Sequence, residues 1–292
     1  LPQAVLYPKD GQDIQAAIQL AQEKPFQSLT FSPRGGGTGT NGQSLTQGIM
    51  IDCSRYMTEI LELNVVEGWV KVQPGVVLDQ LNHYLADYEL FFAPSVAPSN
   101  RATLGGMIST DACGKGSQRY GRTSQHVIEL SFIKANGILC KIKTMRLSEM
   151  EELKHQANPL QSIIKTVDQI VTDKKTLIET QFPPINRFMS GYNLAHIKSE
   201  EKDTFNLNAL ISGSEGTLGI LTEAKLSVLP LPKDKQMVVI GYPSFIEALA
   251  DSERLIKANP TAVETLDQAI LSLAKDDVDR KSTRLNSSHL VI

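Results

Sequence analysis

Three glycine-rich segments, each following a run of strand-forming residues, constrain this chain more than any other feature of its sequence. They read SPRGGGTGTNGQSLTQG over residues 32–48, APSNRATLGGMISTDACGKGSQRYG over 97–121 and GSEGTLGI over 213–220. Glycine permits positive φ angles and lets backbone N–H groups approach a ligand closely. One such loop is typical of an ordinary turn, but three along one chain predict a long ligand lying across one domain.

The first segment contains Gly37, Gly39 and Gly42 in the G-x-G-x-x-G spacing of a dinucleotide-binding loop. A Rossmann loop opens a helix whose N-terminus faces the pyrophosphate, whereas only QSLTQ stands here before the strand-like GIMID. A P-loop is excluded as well, because Gln43 stands where the phosphate-binding lysine is required. The sequence therefore predicts a loop between two strands whose backbone N–H groups form an anion-binding nest.

Composition excludes several classes of function. The 292 residues carry 29 basic and 32 acidic side chains, and the net charge of −3 gives no footprint for nucleic acid or an anionic membrane. No apolar run is long enough for a transmembrane helix, and the first residues lack a signal-peptide pattern, although a start at Leu1 leaves room for a preceding piece. Cys53, Cys113 and Cys140 are widely spaced, so we expect free thiols in a reducing cytoplasm and no metal site.

Periodicity and turn signals predict a mixture of strands and helices. Asp10 is a good N-cap for a helix that follows the strand AVLYP, and Asn136 with Gly137 predicts a β-hairpin. An apolar stripe predicts one long helix over 159–180. After PLPKDK the pattern restarts with the strand QMVVIGY, the helix SFIEALADSERLIKA and the strand AVETLD, which predicts a domain boundary at that point.

The motifs PRGGGTGTNG, ATLGGMISTDACGKGSQRYG and GSEGTLGILTEAKLSVLP, in this order, resemble the FAD-binding domain of the vanillyl-alcohol oxidase superfamily, also called the PCMH-type domain. The resemblance covers residues 4–230. It implies an α+β fold in which a PCMH-type domain of two α/β subdomains occupies 1–232 and a truncated α+β cap (substrate) domain begins at 233–280. Residues 281–292 lack periodicity and resemble a non-native tail, so they are excluded from fold reasoning.

Within the superfamily the chain is most similar to the D-2-hydroxyacid dehydrogenases, in particular the large bacterial D-2-hydroxyglutarate dehydrogenase type. The resemblance implies an FAD-dependent oxidoreductase that oxidises D-2-hydroxyglutarate or D-lactate to the 2-oxoacid by hydride transfer to flavin N5, with an unidentified electron acceptor. It also implies that the chain is an N-terminal fragment and that any iron–sulfur cluster belongs to the missing C-terminal region. The expected location is the cytoplasm, with peripheral membrane association through the acceptor left open.

Two alternatives to this function stay open at this point. The first is another flavin oxidoreductase of the same fold, such as a reductase or an alcohol or sugar oxidase. The second is a catalytically silent FAD-binding fragment, because the cap domain is cut short. Turnover of a hydroxyacid separates the dehydrogenase from the silent fragment, and the identity of the substrate separates it from the other flavin oxidoreductases.

The resemblance carries the cofactor contacts over to the three glycine segments. Threonine hydroxyls and glycine N–H groups are short neutral donors suited to phosphate oxygens. The residues expected to bind the cofactor are Arg34, Gly35, Gly36, Gly37, Thr38, Gly39, Asn41, Gly42, Thr103, Gly105, Gly106, Thr110, Gly114, Tyr120, Gly121, Gly213, Glu215, Gly216, Thr217, Gly219 and Ile220.

Three positions depart from the family pattern. Thr38 stands where relatives with covalently attached flavin have a histidine, so non-covalent FAD is expected. Asp111 and Cys113 stand where many relatives have Asn and Gly, and a carboxylate or thiol facing the cofactor would be unfavourable. Neither residue is therefore included among the expected contacts.

Candidates for the chemistry are fewer. Arg187 and Tyr192, in the irregular stretch PPINRFMSGYNLAHI, are expected to bind the substrate carboxylate, with Arg101 as a weaker alternative. His196 is a weak candidate for the catalytic base, which in the resembled enzymes comes from the cap domain. His126, at the start of a strand, fits a structural role better.

Overall fold

The computed structural model describes residues 1–185 and 191–276, which form two compact units. Unit 1 consists of Leu1–Gly114 and Gly121–Leu231. Unit 2 consists of Lys115–Tyr120 together with the described residues from Pro232 onward. The tail 281–292 lies outside the described residues. The assignment of unit 2 to a substrate domain stays a prediction.

Twelve strands and ten helices are distributed over the described residues. The strands are β1 (Ala4–Leu6), β2 (Phe31–Arg34), β3 (Ile49–Asp52), β4 (Ile60–Asn64), β5 (Trp69–Val72), β6 (Leu90–Phe91), β7 (Val127–Ile133), β8 (Leu139–Met145), β9 (Lys198–Ser199), β10 (Thr204–Asn206), β11 (Ile220–Ser227) and β12 (Leu229–Pro230). The helices are α1 (Gly11–Leu20), α2 (Leu78–Ala86), α3 (Leu104–Ser109), α4 (Ser117–Tyr120), α5 (Leu147–His155), α6 (Gln161–Asp173), α7 (Lys175–Gln181), α8 (Asn208–Ile211), α9 (Phe245–Ile256) and α10 (Gln268–Asp276). This mixture confirms the predicted α+β class.

Two main sheets organise unit 1. A small parallel sheet has the order β1-β3-β2, and a seven-stranded sheet has the order β4-β5-β11-β7-β8-β10-β9 with antiparallel neighbours throughout. The hairpin β7–β8 turns at Gly137, whose φ of 77° confirms the predicted hairpin. The first and third glycine segments thus follow β2 of one sheet and precede β11 of the other.

The core of unit 1 has two parts. The smaller part packs α1 on the parallel sheet and includes Ile14, Ile18, Ile51 and Met57. Helix α1 begins where the sequence predicts, because the Asp10 carboxylate accepts hydrogen bonds from two backbone N–H groups of the first turn. The larger part lies against the seven-stranded sheet. Together they hold the ends of β2, β5 and β11 in place around the site.

Two predictions from periodicity were wrong. The stripe over 159–180 forms two helices, because Lys174 leaves the α region with φ −106° and ψ 16° between α6 and α7. The stretches QMVVIGY and AVETLD form no strands, and Met237 and Val238 are 57% and 75% exposed. A strand needs a neighbour for its backbone hydrogen bonds, and the described part of unit 2 offers none.

Candidate cofactor site

The three glycine segments meet at one cavity of about 260 Å³ within unit 1. They lie far apart in the sequence and are brought together by the ends of β2 and β11 and by α3. The first segment contributes 33–39, Gln43 and Ser44. The second contributes Pro98, Ala102, Thr103, 105–107, Ser109, Thr110 and Ala112, and the third contributes Glu215, Gly216, Gly219 and Ile220. Cys53, Pro74, Val96 and Leu221 complete the wall. This convergence is what a ligand lying across the domain requires.

Glycine is required where the first two segments touch. A Cβ on Gly35 would collide with the Thr103 hydroxyl, and a Cβ on Gly36 would collide with the backbone carbonyl of Arg101. A Cβ on Gly105 would likewise overlap Pro74. The two backbones therefore approach more closely than any side chain would allow, which fixes the geometry of this wall of the cavity.

The third segment is fastened to the second by its backbone. The Glu215 N–H donates to the Ser109 carbonyl at 2.8 Å, and the Gly213 N–H donates to the Ile108 carbonyl at 2.9 Å. Glu215 itself adopts a left-handed φ of 52°, which a non-glycine residue takes only in a tight turn. Glu215 thus forms part of a turn, and it also lines the cavity.

The first segment offers the donors that a phosphate group needs. Among the described residues, the backbone N–H groups from Gly35 to Gly39 donate to no protein acceptor. The Arg34 guanidinium packs against Gly37 and forms no ion pair with any described carboxylate. Consecutive free N–H groups beside one cation match a pyrophosphate in both donor number and charge, so the residues present fit a dinucleotide cofactor.

The threonines of the second segment have partly committed hydroxyls. The Thr110 hydroxyl donates to the Gly106 carbonyl at 3.0 Å, and the Thr103 hydroxyl accepts from the Gly106 N–H at 3.4 Å. Thr110 can therefore offer a ligand an oxygen lone pair rather than a proton. Thr103 keeps its proton available, although it is 1% exposed.

Several cavity residues were missed by sequence reasoning. Gln43 and Ser44 lie in the first segment and could have been found there, since Gln43 closes the loop by accepting from the Asn41 N–H at 3.1 Å. Cys53 could not have been found in this way, because it lies outside the three glycine segments and directly follows β3. Burial, and secondarily the Asp52 carboxylate, raise the pKa of the Cys53 thiol to about 12, so this part of the wall is neutral.

Some predicted contacts do not line the cavity. These are Asn41, Gly42, Gly114, Gly121, Gly213, Thr217 and Tyr120, the last of which belongs to unit 2. Asp111, which was left out of the prediction, lies outside the lining, and its carboxylate pairs with Arg122 at 3.1 Å. The cofactor roles of all predicted residues stay predictions.

The structure describes two of the three residues expected to bind the substrate carboxylate. Arg187 lies outside the described residues. The Tyr192 hydroxyl is 2.8 Å from the Thr217 hydroxyl oxygen, and because Thr217 donates to the Ser214 carbonyl at 2.6 Å, Tyr192 is the donor of this bond. Tyr192 is thereby joined to the third glycine segment. Arg101 is exposed.

The histidines differ in their surroundings. His196 Nδ1 lies 2.8 Å from the Asn193 side-chain oxygen, which is within hydrogen-bonding distance. Partial burial, and then the Arg122 charge, lower the pKa of His196, so it is neutral at pH 7. His126 is buried, lies 3.1 Å from the Ser227 hydroxyl and packs edge-on against Phe92, in agreement with a structural role.

The fold and the three-segment cavity fit a binding site for a dinucleotide cofactor. Residues 2–143 match the FAD binding domain family, which supports FAD as that cofactor. The chain is 45% identical over 284 residues to D-2-hydroxyglutarate dehydrogenase of Pantoea ananatis, a match covering 97% of this chain and 28% of that protein. It is 46% identical to D-2-hydroxyglutarate dehydrogenase of Haemophilus influenzae, with 95% of this chain and 27% of that protein covered.

More distant similarity supports the same fold. The mitochondrial D-lactate dehydrogenase [cytochrome] of Kluyveromyces lactis is 27% identical, with 93% of this chain and 38% of that protein covered. A solved structure of alkyldihydroxyacetonephosphate synthase superposes with a TM-score of 0.61 at 18% identity, over 92% of this chain and 40% of that chain. The chain thus spans less than a third of the D-2-hydroxyglutarate dehydrogenases it matches. No helix in the described ranges is both long and apolar enough to cross a bilayer.

Proposed function

We propose that this chain is the flavin-binding part of an FAD-dependent dehydrogenase that oxidises a D-2-hydroxyacid, with D-2-hydroxyglutarate preferred over D-lactate. The observation that carries the proposal is the 44–46% identity to four D-2-hydroxyglutarate dehydrogenases over 95–97% of this chain. Identity falls to 24–27% against the D-lactate dehydrogenases, which favours the dicarboxylic substrate. The convergence of the three segments on one cavity supports the cofactor role.

The first glycine segment binds the cofactor pyrophosphate in this proposal. The N–H groups from Gly35 to Gly39 donate to phosphate oxygens, and Arg34 supplies the positive charge. Gly35 and Gly36 keep this loop pressed against the second segment, so its donors are oriented before the ligand arrives. Thr38 lacks a nucleophilic ring nitrogen, so the cofactor dissociates when the protein is denatured.

The chemical step requires a hydride acceptor and a proton acceptor. When bound, FAD supplies the acceptor for the hydride that leaves C2 of the hydroxyacid. The chain's own residues exclude water with the neutral wall around Cys53 and orient the carboxylate through Arg187 and Tyr192. His196, whose lowered pKa keeps its ring neutral at pH 7, is the candidate that receives the hydroxyl proton. The 2-oxoacid then leaves, and electrons pass to an external acceptor.

A second candidate is an FAD-binding module without turnover of its own. The observation that favours it is the share of the D-2-hydroxyglutarate dehydrogenases that the chain covers, 27–28%. The remainder of those proteins is long enough to supply a base and a substrate pocket. In that case the chain binds FAD and leaves it oxidised in the presence of substrate.

The visible absorbance of flavin tests both candidates. The full chain is loaded with FAD, freed of excess cofactor, and recorded before and after anaerobic addition of D-2-hydroxyglutarate or D-lactate. Faster bleaching by D-2-hydroxyglutarate supports the dehydrogenase, and retained but unbleached flavin supports the silent module. A folded chain that retains no flavin contradicts both.

Arg34→Gln tests the proposed contact, with Arg55→Gln as the matched control. We expect Arg34→Gln to weaken FAD binding by about tenfold, the loss typical of one charge-assisted contact of about 1.4 kcal/mol. Arg55 stacks on Tyr7 and Tyr56 outside the cavity lining, so its variant should bind FAD as the parent does. Equal affinities for both variants would remove Arg34 from the site.

A further inference from the structure

The second glycine segment contains a loop that leaves unit 1 and returns to it. Lys115–Tyr120 belong to unit 2, whereas the chain on both sides belongs to unit 1. The loop is closed at its base by residues 111–112 on one side and 122–124 on the other, here called the neck. Thr110 and Ala112, on either side of Asp111, both line the cofactor cavity.

Four polar contacts close the neck. The Asp111 carboxylate lies 3.1 Å from the Arg122 guanidinium and accepts from the Ser124 N–H at 2.8 Å. The Ala112 carbonyl accepts from the Thr123 N–H at 3.1 Å and from the Thr123 hydroxyl at 2.6 Å. The side chains of Asp111 and Arg122 are only 8% and 7% exposed, so their pairing is shielded from solvent.

The backbone at Asp111 is in a left-handed conformation. Its φ of 47° lies in a region that few residues with a Cβ adopt, and aspartate does so more readily than most because its side chain can form local hydrogen bonds. The turn directs Thr110 and Ala112 to the cavity while the Asp111 side chain points to Arg122. The third segment packs against the same turn, because a Cβ on Gly213 would lie 3.5 Å from the Asp111 Cβ.

We propose that Asp111 and Arg122 are positioning residues of the cofactor site, which hold the Thr110–Ala112 turn in the shape that receives FAD. The proposal rests on the proposed function, because it assigns the tight binding of FAD to this neck. Neither residue touches the cavity, and both act through Thr110 and Ala112. A buried charge left without its partner destabilises its surroundings strongly, so removing either charge allows the Thr110–Ala112 turn to change shape.

The chain offers a matched control for this test. Asp168 on α6 is also a poorly exposed carboxylate, with a side chain 12% exposed that pairs with Lys154 and with Lys198 at 2.9 Å. It lies in the same unit and outside the cavity lining. Asp168→Asn therefore removes a comparable ion pair from unit 1 without affecting the neck.

The test compares FAD affinity with apo-protein stability in the full chain carrying Arg122→Gln or Asp168→Asn. Affinity is measured by quenching of flavin fluorescence, and stability by thermal unfolding without FAD. We expect Arg122→Gln to weaken FAD binding by about tenfold or more, whereas Asp168→Asn lowers the unfolding temperature and changes affinity by less than about twofold. Equal affinity losses in both variants, or none in Arg122→Gln, would overturn the proposal.

A milder variant keeps the test decisive if Arg122→Gln does not fold. Arg122→Lys retains the charge but replaces the guanidinium by a single ammonium group, so it should fold and bind FAD more weakly than the parent. Parental affinity in Arg122→Lys, together with an unfolded Arg122→Gln, would assign the pair to stability alone. A parent chain that binds no FAD would instead contradict the proposed function.

Discussion

At the scale of the residue, Gly36 shows how a missing side chain shapes the site. Its Cα faces the Arg101 carbonyl, and the backbone of the second segment cannot retreat without disturbing α3. We expect Gly36→Ala to destabilise the apo protein by about 1–3 kcal/mol through overpacking, and to lose FAD on gel filtration. Chemical denaturation and the ratio of flavin to protein absorbance measure the two effects.

Gly241→Ala is the control for this prediction. Nothing lies within 4 Å of a Cβ placed on Gly241, and its φ is not in the left-handed region. The variant should therefore keep both the stability and the flavin content of the parent. Full flavin retention by Gly36→Ala would show that the first two segments can separate without loss of the site.

The buried thiol of Cys53 makes the stability of the protein fall as pH rises above about 9. Its pKa is raised from 9.0 to about 12, first by burial and then by the Asp52 carboxylate. The unfolded thiol ionises near pH 9 and the folded thiol does not, so the contribution of Cys53 to stability is full below pH 9 and is lost as pH rises toward 12. Iodoacetamide at pH 8.5 should label Cys53 far more slowly in native than in urea-unfolded protein, as read by peptide mass spectrometry.

The half-exposed Cys113 provides the internal reference for that labelling. Because both thiols lie in one polypeptide, reagent concentration and pH are identical for both. Native labelling of Cys53 at the rate seen in urea would contradict the burial of this wall of the cavity.

At the scale of the element, the sequence correctly predicted those starts and turns of helices and strands that depend on neighbouring residues. Asp10 caps α1 and Gly137 turns the β7–β8 hairpin, because each feature depends on a few adjacent residues. The break at Lys174 between α6 and α7 was not predictable from the apolar stripe, which continues across it. The break allows Ile178 to remain buried against the core.

The lining of the cavity likewise has a part that the sequence predicts and a part that it does not. The three segments were recognisable because glycines cluster in the sequence, and most of the cavity wall comes from them. Pro74, Val96 and Cys53 reach the wall only through the packing of distant strands, which no local pattern reports. The role of Asp111 was equally hidden, because its partner Arg122 is separated from it by a loop that belongs to the other unit.

At the scale of the whole molecule, burial differs sharply between the two units. Both core clusters lie entirely in unit 1. In unit 2, helix α9 buries none of its residues, and Val238 and Ile246 are 75% and 77% exposed. Apolar surface of this kind promotes association, so we expect the chain to self-associate through unit 2.

Paired substitution tests this expectation. Val238→Lys with Ile246→Lys should shift the chain toward monomer in sedimentation velocity, because charge replaces apolar surface in unit 2, and FAD binding in unit 1 should be unchanged. Val66→Lys is the control, since Val66 is 97% exposed but lies in unit 1, on the turn between β4 and β5, and should not alter association through unit 2. A parent chain that is already monomeric at high concentration would mean that unit 2 covers its apolar residues by itself.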